Sequence, residues 1–462
     1  MEHKILTYKK KRSQEILQLL RLFWPIIIGQ LAQCAVSVTD TVMAGAAGTI
    51  ELSGVAVGAA LFNPCQPSLA GLTLAIQPMV SQLRGAGALA KISKRMWSAL
   101  WICMSASLLF ILLLLLLRQI LFLLPSDPAM MDVASRYVFW CAASMPGVAL
   151  YNVVRSYAEG LGHTRPTLMF GLIMLAVNIP LNYIFIFGKL GMPAMGGAGC
   201  GAATFATFTI TALLFCLYVN RSSVYAKSRL FVKSFGITAP AVRSYLKVAV
   251  PICLSLALEV SCFSLGAMIL SPFGATVVAA HSISLNISGL FFMVPLSLAA
   301  ALTIRTGHCV GAKRLNDAKV VMQSGYLLTA LCVILFFTVL FFGRTFFVSC
   351  YSDDQQVIHY ASFLLLFCCV YMLPDCFQMA SIGILRGFKD TRVIMYGTLL
   401  AYWVVALPLG YALSWGVFTR KMQASGIWIG FICGLTVAAV FYLLRVRMIF
   451  KNPSRIGLKL EN

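Results

Sequence analysis

Charge is scarce in this chain. Of its 462 residues only 11% are Asp, Glu, Lys or Arg, and only 14 are acidic, while 60% are hydrophobic. A soluble globular protein of this length could not keep so much apolar surface from water, so that class is excluded and an integral membrane protein is expected. Histidine is also scarce: there are five, scattered, and none falls in an HExxH pattern. No CxxC pair occurs, and no nucleophile stands beside a base in any recognisable spacing. The chain therefore reads as neither an enzyme nor a holder of a cofactor. The glycine-rich run from Gly196 to Gly201 has no strand before it, which excludes a phosphate loop; it reads as a turn and close-packing segment at the head of a span. A cleavable leader is not expected either. Twenty-one polar-rich residues precede the first apolar run, and that run is longer than a leader's apolar core. Cysteine, by contrast, is frequent. The chain has 15, mostly inside apolar runs, and they read as small packing residues.

What is present is a series of long apolar runs. Twelve reach the roughly 20 residues needed to cross a bilayer. The first six cover 22–44, 52–77, 96–117, 133–155, 166–187 and 198–219. The second six cover 246–270, 277–303, 321–342, 357–383, 394–414 and 426–449. With the N-terminus placed in the cytoplasm, Arg118, Arg136, Lys189, Arg344, Arg420 and Lys421 fall outside. The other 30 of the 36 Lys and Arg fall inside, including Lys4, Lys9, Lys233, Arg455 and Lys459. That bias predicts both termini in the cytoplasm. It also accounts for the net charge of +22 without a nucleic-acid partner.

The two sets of six are related. Pro25 and Pro251 are 226 residues apart, as are Gly48 and Gly274, and Gly85 and Gly311. Thr164-Arg165 recurs 227 later as Thr391-Arg392, and Gly199 as Gly426. Pro180, Leu181 and Tyr183 recur 228 later as Pro408, Leu409 and Tyr411. Six spans per half return the chain to the side it started from, so the repeat is parallel, with its axis along the membrane normal. The expected organisation is an N-terminal lobe over 1–220, a basic cytoplasmic linker over 221–245, and a C-terminal lobe over 246–462.

Three acids lie well inside the spans: Asp40, Glu259 and Asp375. A charge at the centre of a lipid-spanning helix costs about 2.5 kcal/mol even on lenient scales, so each is a functional hypothesis by default. By helical rise Glu259 is roughly 18 Å from cytoplasmic Lys247, and Asp375 roughly 17 Å from Arg386. They thus share a depth in one lobe. Tyr371, one turn before Asp375, shares its face, and Pro374 frees a backbone carbonyl nearby. Two carboxylates, a phenol and a carbonyl suit a small hard cation such as Na+ at Glu259 and Asp375. They suit a proton equally well. Asp40 lies roughly 28 Å from Arg21, near the level of Asn178 and Asn182 on span five. Span eight carries His281, Ser284, Asn286 and Ser288, a cavity-facing or packing face with Asn286 as a further ion contact. The bland reading of all these groups is hydrogen bonding between helices. The repeat argues against it. Glu259 maps to Gln33, Asp375 to Gly147 and Tyr371 to Ala143, while Asp40 maps to Gly266, Asn178 to Ala406 and Asn182 to Gly410. Each lobe has its own polar centre on a common frame.

The stretches VTDTVMAG (Val38 to Gly45), NIPLNY (Asn178 to Tyr183) and LRGFKDT (Leu385 to Thr391), with Glu259 and the PDCFQ run at Pro374, resemble the MATE (multidrug and toxic compound extrusion) family, in its NorM-like branch. The resemblance covers roughly residues 15–445. It implies an all-α integral membrane protein of twelve transmembrane helices, in two six-helix lobes forming a V. It implies a multidrug antiporter in a bacterial inner membrane that exports cationic amphipathic molecules in exchange for Na+ or H+ by alternating access. Within that branch, cation-binding roles fall on the positions of Glu259, Asp375 and Tyr371, and the family's polar residues of spans one and five on Asp40, Asn178 and Asn182. The cysteines flanking the acids, Cys262 and Cys376, depart from the pattern. A monomer is expected. The nearest rival is a flippase for lipid-linked oligosaccharides, disfavoured because no Lys or Arg lies deep within a predicted span. A membrane-embedded enzyme would need a constellation the chain lacks, and two unlike lobes suit a carrier better than a channel.

Overall fold

The computed structural model describes residues 2–121, 127–230, 236, 238–417 and 420–452, with side chains from residue 10 onward. Lys233, Arg455 and Lys459, assigned above to the cytoplasmic side, lie outside these residues, as do the side chains of Lys4 and Lys9.

Among the described residues every regular element is helical. The first half runs α1 (Glu2–Ala47), α2 (Thr49–Leu74), α3 (Ile76–Gly85), α4 (Ala90–Leu121), α5 (Pro128–Gly160), α6 (Arg165–Phe187) and α7 (Gly197–Arg221). The second runs α8 (Ala239–Leu270), α9 (Ala275–Gly311), α10 (Leu315–Ser349), α11 (Gln355–Gly387), α12 (Thr391–Thr398), a π-helical segment (Leu399–Ala406), α13 (Leu407–Trp415) and α14 (Ala424–Lys451). Eleven helical stretches among the described residues are long and apolar enough to cross a membrane. The twelfth expected span is α2, which bends at Ala75 into α3. Its length is sufficient, but Asn63, Gln66, Ser68 and its small residues dilute its hydropathy.

The repeat is visible in the backbone. Residues with positive φ recur at the repeat offset: Gly48 with Gly274, Gly87 with Lys313, Gly162 with Lys389, Gly188 with Gly416, and Gly196 with Gln423. The caps recur as well. Asp127 accepts the Ala129 N–H at 2.9 Å to start α5, and Asp354 accepts the Gln356 N–H at 2.8 Å to start α11. So does the packing. α5 lies against α2, α4 and α7, and α11 against α9, α10 and α14.

The chain forms two compact units, one of residues 24–253 and one of residues 1–23 with 254–462. Their boundaries fall inside α1 and α8. In the second unit Arg305 forks onto the Glu15 carboxylate at 2.7 and 2.8 Å, holding the start of α1. In the first, the Tyr245 hydroxyl donates to the Leu72 carbonyl at 2.6 Å, holding the start of α8.

The helices outlast their expected spans, and two of the extensions bury arginines. α5 runs to Gly160 and α11 to Gly387, where the apolar runs end near 155 and 383. Arg155 and Arg386 are consequently buried, at 8% and 5% exposure, so the chain does hold arginines inside its helices. Hydropathy falls at an arginine, but the Arg155 charge is met one turn on by Glu159, at 2.8 Å. The helix therefore continues.

Candidate cation-binding site

In the unit of residues 24–253 the sequence-selected polar residues meet. Gly29 and Gly171 let α1 and α6 approach closely: a Cβ on Gly171 would sit 3.0 Å from the Gly29 Cα. Eleven residues further along each helix stand Asp40 and Asn182. The Asn182 amide donates to Asp40 Oδ1 at 2.6 Å, and the Asn178 amide donates to the same oxygen at 3.2 Å. Asp40 Oδ2 accepts from the Thr204 hydroxyl of α7 at 3.2 Å, and Cys200 donates to the Asp40 carbonyl at 3.4 Å. Thr204 and Cys200 were not selected from the sequence. One threonine among several in α7 carries no signal until the helices are packed.

A second buried network lies in this unit. Arg155 donates to Glu159 at 2.8 Å and to Gln33 at 3.0 Å. Glu159 also accepts from Gln77 at 2.6 Å and Thr167 at 3.0 Å. Both ions are thus neutralised within the unit.

The other unit holds the two central acids. Asp375 is 1% exposed, and neither of its carboxylate oxygens has a hydrogen-bond partner among the described residues. Glu259 is half-buried and within electrostatic reach of Asp375. Its Oε1 accepts from the Tyr402 hydroxyl at 3.3 Å, which in turn accepts from the Gln378 amide at 3.0 Å. Tyr402 belongs to the π-helical segment, a distortion that recurs at functional sites because it re-aims side chains. Tyr371 is buried. Its ring lies 6.5 Å from that of Phe263, one turn beyond Glu259, and 5.7 Å from that of Trp428. Cys262 donates to the Tyr402 carbonyl at 3.8 Å, tying α8 to the π segment. Asn286 stands apart. It is exposed and donates back to the Ser282 carbonyl on its own helix at 3.0 Å.

Tyr402 and Trp428 were missed by sequence reasoning, since an aromatic residue in an apolar helix reads as packing, and Gln378, though it ends the PDCFQ run, was not singled out.

The repeat explains why neither cluster is duplicated. Where the first unit has Asp40, Thr204 and Asn182, the second has Gly266, Phe431 and Gly410. A Cβ on Gly266 would lie 2.8 Å from the Phe431 ring, so phenylalanine fills the space of the carboxylate. At Gly147, the counterpart of Asp375, a Cβ would come within 3.1 to 3.3 Å of Phe208 and Thr209. The close approach of α7 leaves no room there for an aspartate.

Known proteins share this architecture. The MatE family model matches residues 25–184 and 251–412. Multidrug resistance protein MdtK of Pectobacterium atrosepticum is 38% identical over 445 residues, covering 95% of this chain and 97% of that protein. The eukaryotic MATE transporter AtDTX14 superposes with a TM-score of 0.86 at 21% identity, over 96% of this chain and 100% of that one. A MOP superfamily transporter from Pyrococcus furiosus superposes with a TM-score of 0.84 at 18% identity, over 95% of this chain and 97% of that one.

Proposed function

The chain belongs to the MATE family, and from that premise we propose that it exports organic cations in exchange for Na+ or H+ by alternating access. It is a multi-pass membrane transporter and not an enzyme. Multidrug efflux is favoured by the likeness to MdtK, whose name states multidrug resistance. The bias of Lys and Arg supports an inner-membrane orientation with both termini in the cytoplasm.

The observation that carries the coupling is Asp375. A carboxylate 1% exposed with two unpartnered oxygens is costly unless a cation or a proton joins it. Glu259, within electrostatic reach, deepens the negative field, so the pair attracts one positive charge strongly. A hard ion would take its oxygens from Asp375 and Glu259, with the Tyr402 hydroxyl already turned to Glu259. A cationic amphipathic drug competes for the same field, and binding of the small ion releases it. Asp40 differs in that both of its oxygens already accept hydrogen bonds. That cluster stabilises its own charge and is suited to a subsidiary role. Arg155 does not make an anion site of the first unit, because Glu159 neutralises it.

The test is efflux of a cationic dye from proteoliposomes under a sodium gradient or a pH gradient. Glu259→Gln and Asp375→Asn are expected to lower gradient-driven efflux by at least about tenfold each. Dye efflux at wild-type rates in both variants sinks the coupling role.

A further inference from the structure

One buried group in the second unit is used by neither cluster. His281 on α9 is 0% exposed, and both its ring nitrogens lack a hydrogen-bond partner among the described residues. A neutral imidazole has one donor and one acceptor, and burying both unmet carries a desolvation cost for each. The group is not isolated. Its ring lies 6.0 Å from that of Trp428, whose indole N–H is also buried and unpartnered. The Trp428 ring lies 5.7 Å from that of Tyr371, one turn before Asp375 with its two unpartnered oxygens. Ser362 adds a further buried hydroxyl without a partner among the described residues. It follows Ala361, whose carbonyl accepts from Ser284, the residue one turn beyond His281, at 3.5 Å. Unmet donors and acceptors thus follow one another across α9, α14 and α11 as far as the acid pair.

Scaffolding does not explain them. At the repeat-related positions the first unit has Val55 and Gly201, and an apolar contact suffices there. His281 and Trp428 occur in the unit that carries Glu259 and Asp375. His281 lies six residues from the start of α9 and Trp428 four from the start of α14. With both termini inside, those are the outer ends of the two helices.

We propose that His281, with Trp428, forms a water-binding station on the route by which the coupling cation reaches Asp375 from the outer side. Its ligand is water, either hydrating a metal cation or carrying the proton. The imidazole gives and accepts one hydrogen bond each, and the indole gives one. The cation stays solvated until the carboxylates replace its shell. This rests on the acid pair being the coupling site.

The experiment uses the full-length protein in proteoliposomes, with dye efflux measured against the size of the imposed sodium or proton gradient. His281→Leu removes both nitrogens. It is expected to raise the gradient needed for half-maximal efflux about tenfold, with dye binding and maximal rate kept. His281→Gln, which retains a donor and an acceptor, is expected to stay near wild type. Wild-type gradient dependence in His281→Leu, or equal impairment in both variants, overturns the proposal. Asp375→Asn is run alongside. If it is inactive while His281→Leu is normal, the route fails and the acid-pair reading stands; if it and Glu259→Gln both transport normally, the acid pair itself fails. Should His281→Leu not fold, labelling of the wild type with diethyl pyrocarbonate from outside decides. Carbethoxylation of His281 as well as exposed His359 supports the station, and labelling of His359 without His281 overturns it.

Discussion

The Tyr402 hydroxyl joins two groups, Gln378 and Glu259, that are 24 and 143 residues away in the chain. Removing it leaves the buried Gln378 amide without its partner and Glu259 with one donor fewer. Tyr402→Phe is therefore expected to destabilise the protein by about 1–3 kcal/mol and to slow dye efflux, read by thermal unfolding in detergent and by the vesicle assay. Arg155 makes a sharper case. Its removal strands the Glu159 carboxylate, which is 1% exposed. Arg155→Ala is expected to cost about 3–5 kcal/mol, and Arg155→Met with Glu159→Gln much less, because the second change removes the stranded charge. Equal losses of thermal stability in the two would refute the account. At this scale the sequence made the acids legible, because a carboxylate in an apolar run is conspicuous. It did not reveal Tyr402 or Thr204, because hydroxyls are ordinary in membrane helices and gain meaning from the helix they face.

At the scale of elements, the close approach of α1 and α6 at Gly29 and Gly171 sets the register that brings Asp40 to Asn182. Gly171→Leu is expected to separate these helices and abolish efflux, whereas Leu172→Ala on the exposed neighbouring position is expected to leave transport unchanged. Gln423, with a φ of 51°, stands where the first half has Gly196. At a ψ of −129° this sparsely populated backbone conformation costs an L-residue about 1–3 kcal/mol. Gln423→Gly is expected to raise the thermal unfolding midpoint, and a lower midpoint would show that the side chain compensates for the strain. Helix number and order were legible from hydropathy, α2 included, although its polar residues dilute its apolar run. The ends of α5 and α11 were not. Hydropathy stops at a charge, while a helix stops when its backbone does, and in α5 the Arg155–Glu159 ion pair at i,i+4 carries it on.

The whole molecule repeats one packing plan in two units and gives each a different polar centre. The charge bias predicts its orientation. A green fluorescent protein fused after Asn462 is expected to fluoresce, and alkaline phosphatase at the same place to be inactive; the opposite pair would reverse the topology. The sequence by itself determined the class, the twelve spans, the internal repeat, the family and the three acids, because hydropathy, repeat spacing and charge are properties of neighbours along the chain. The tertiary structure decided which groups those acids meet: Asn178, Asn182 and Thr204 at Asp40, Tyr402 at Glu259, and at Asp375 no hydrogen-bond partner among the described residues. It also decided that the start of α1 belongs with residues 254–462. Hydrogen-bond partners more than a hundred residues apart are chosen by helix register and close approach, and neither is encoded in any local stretch of the chain.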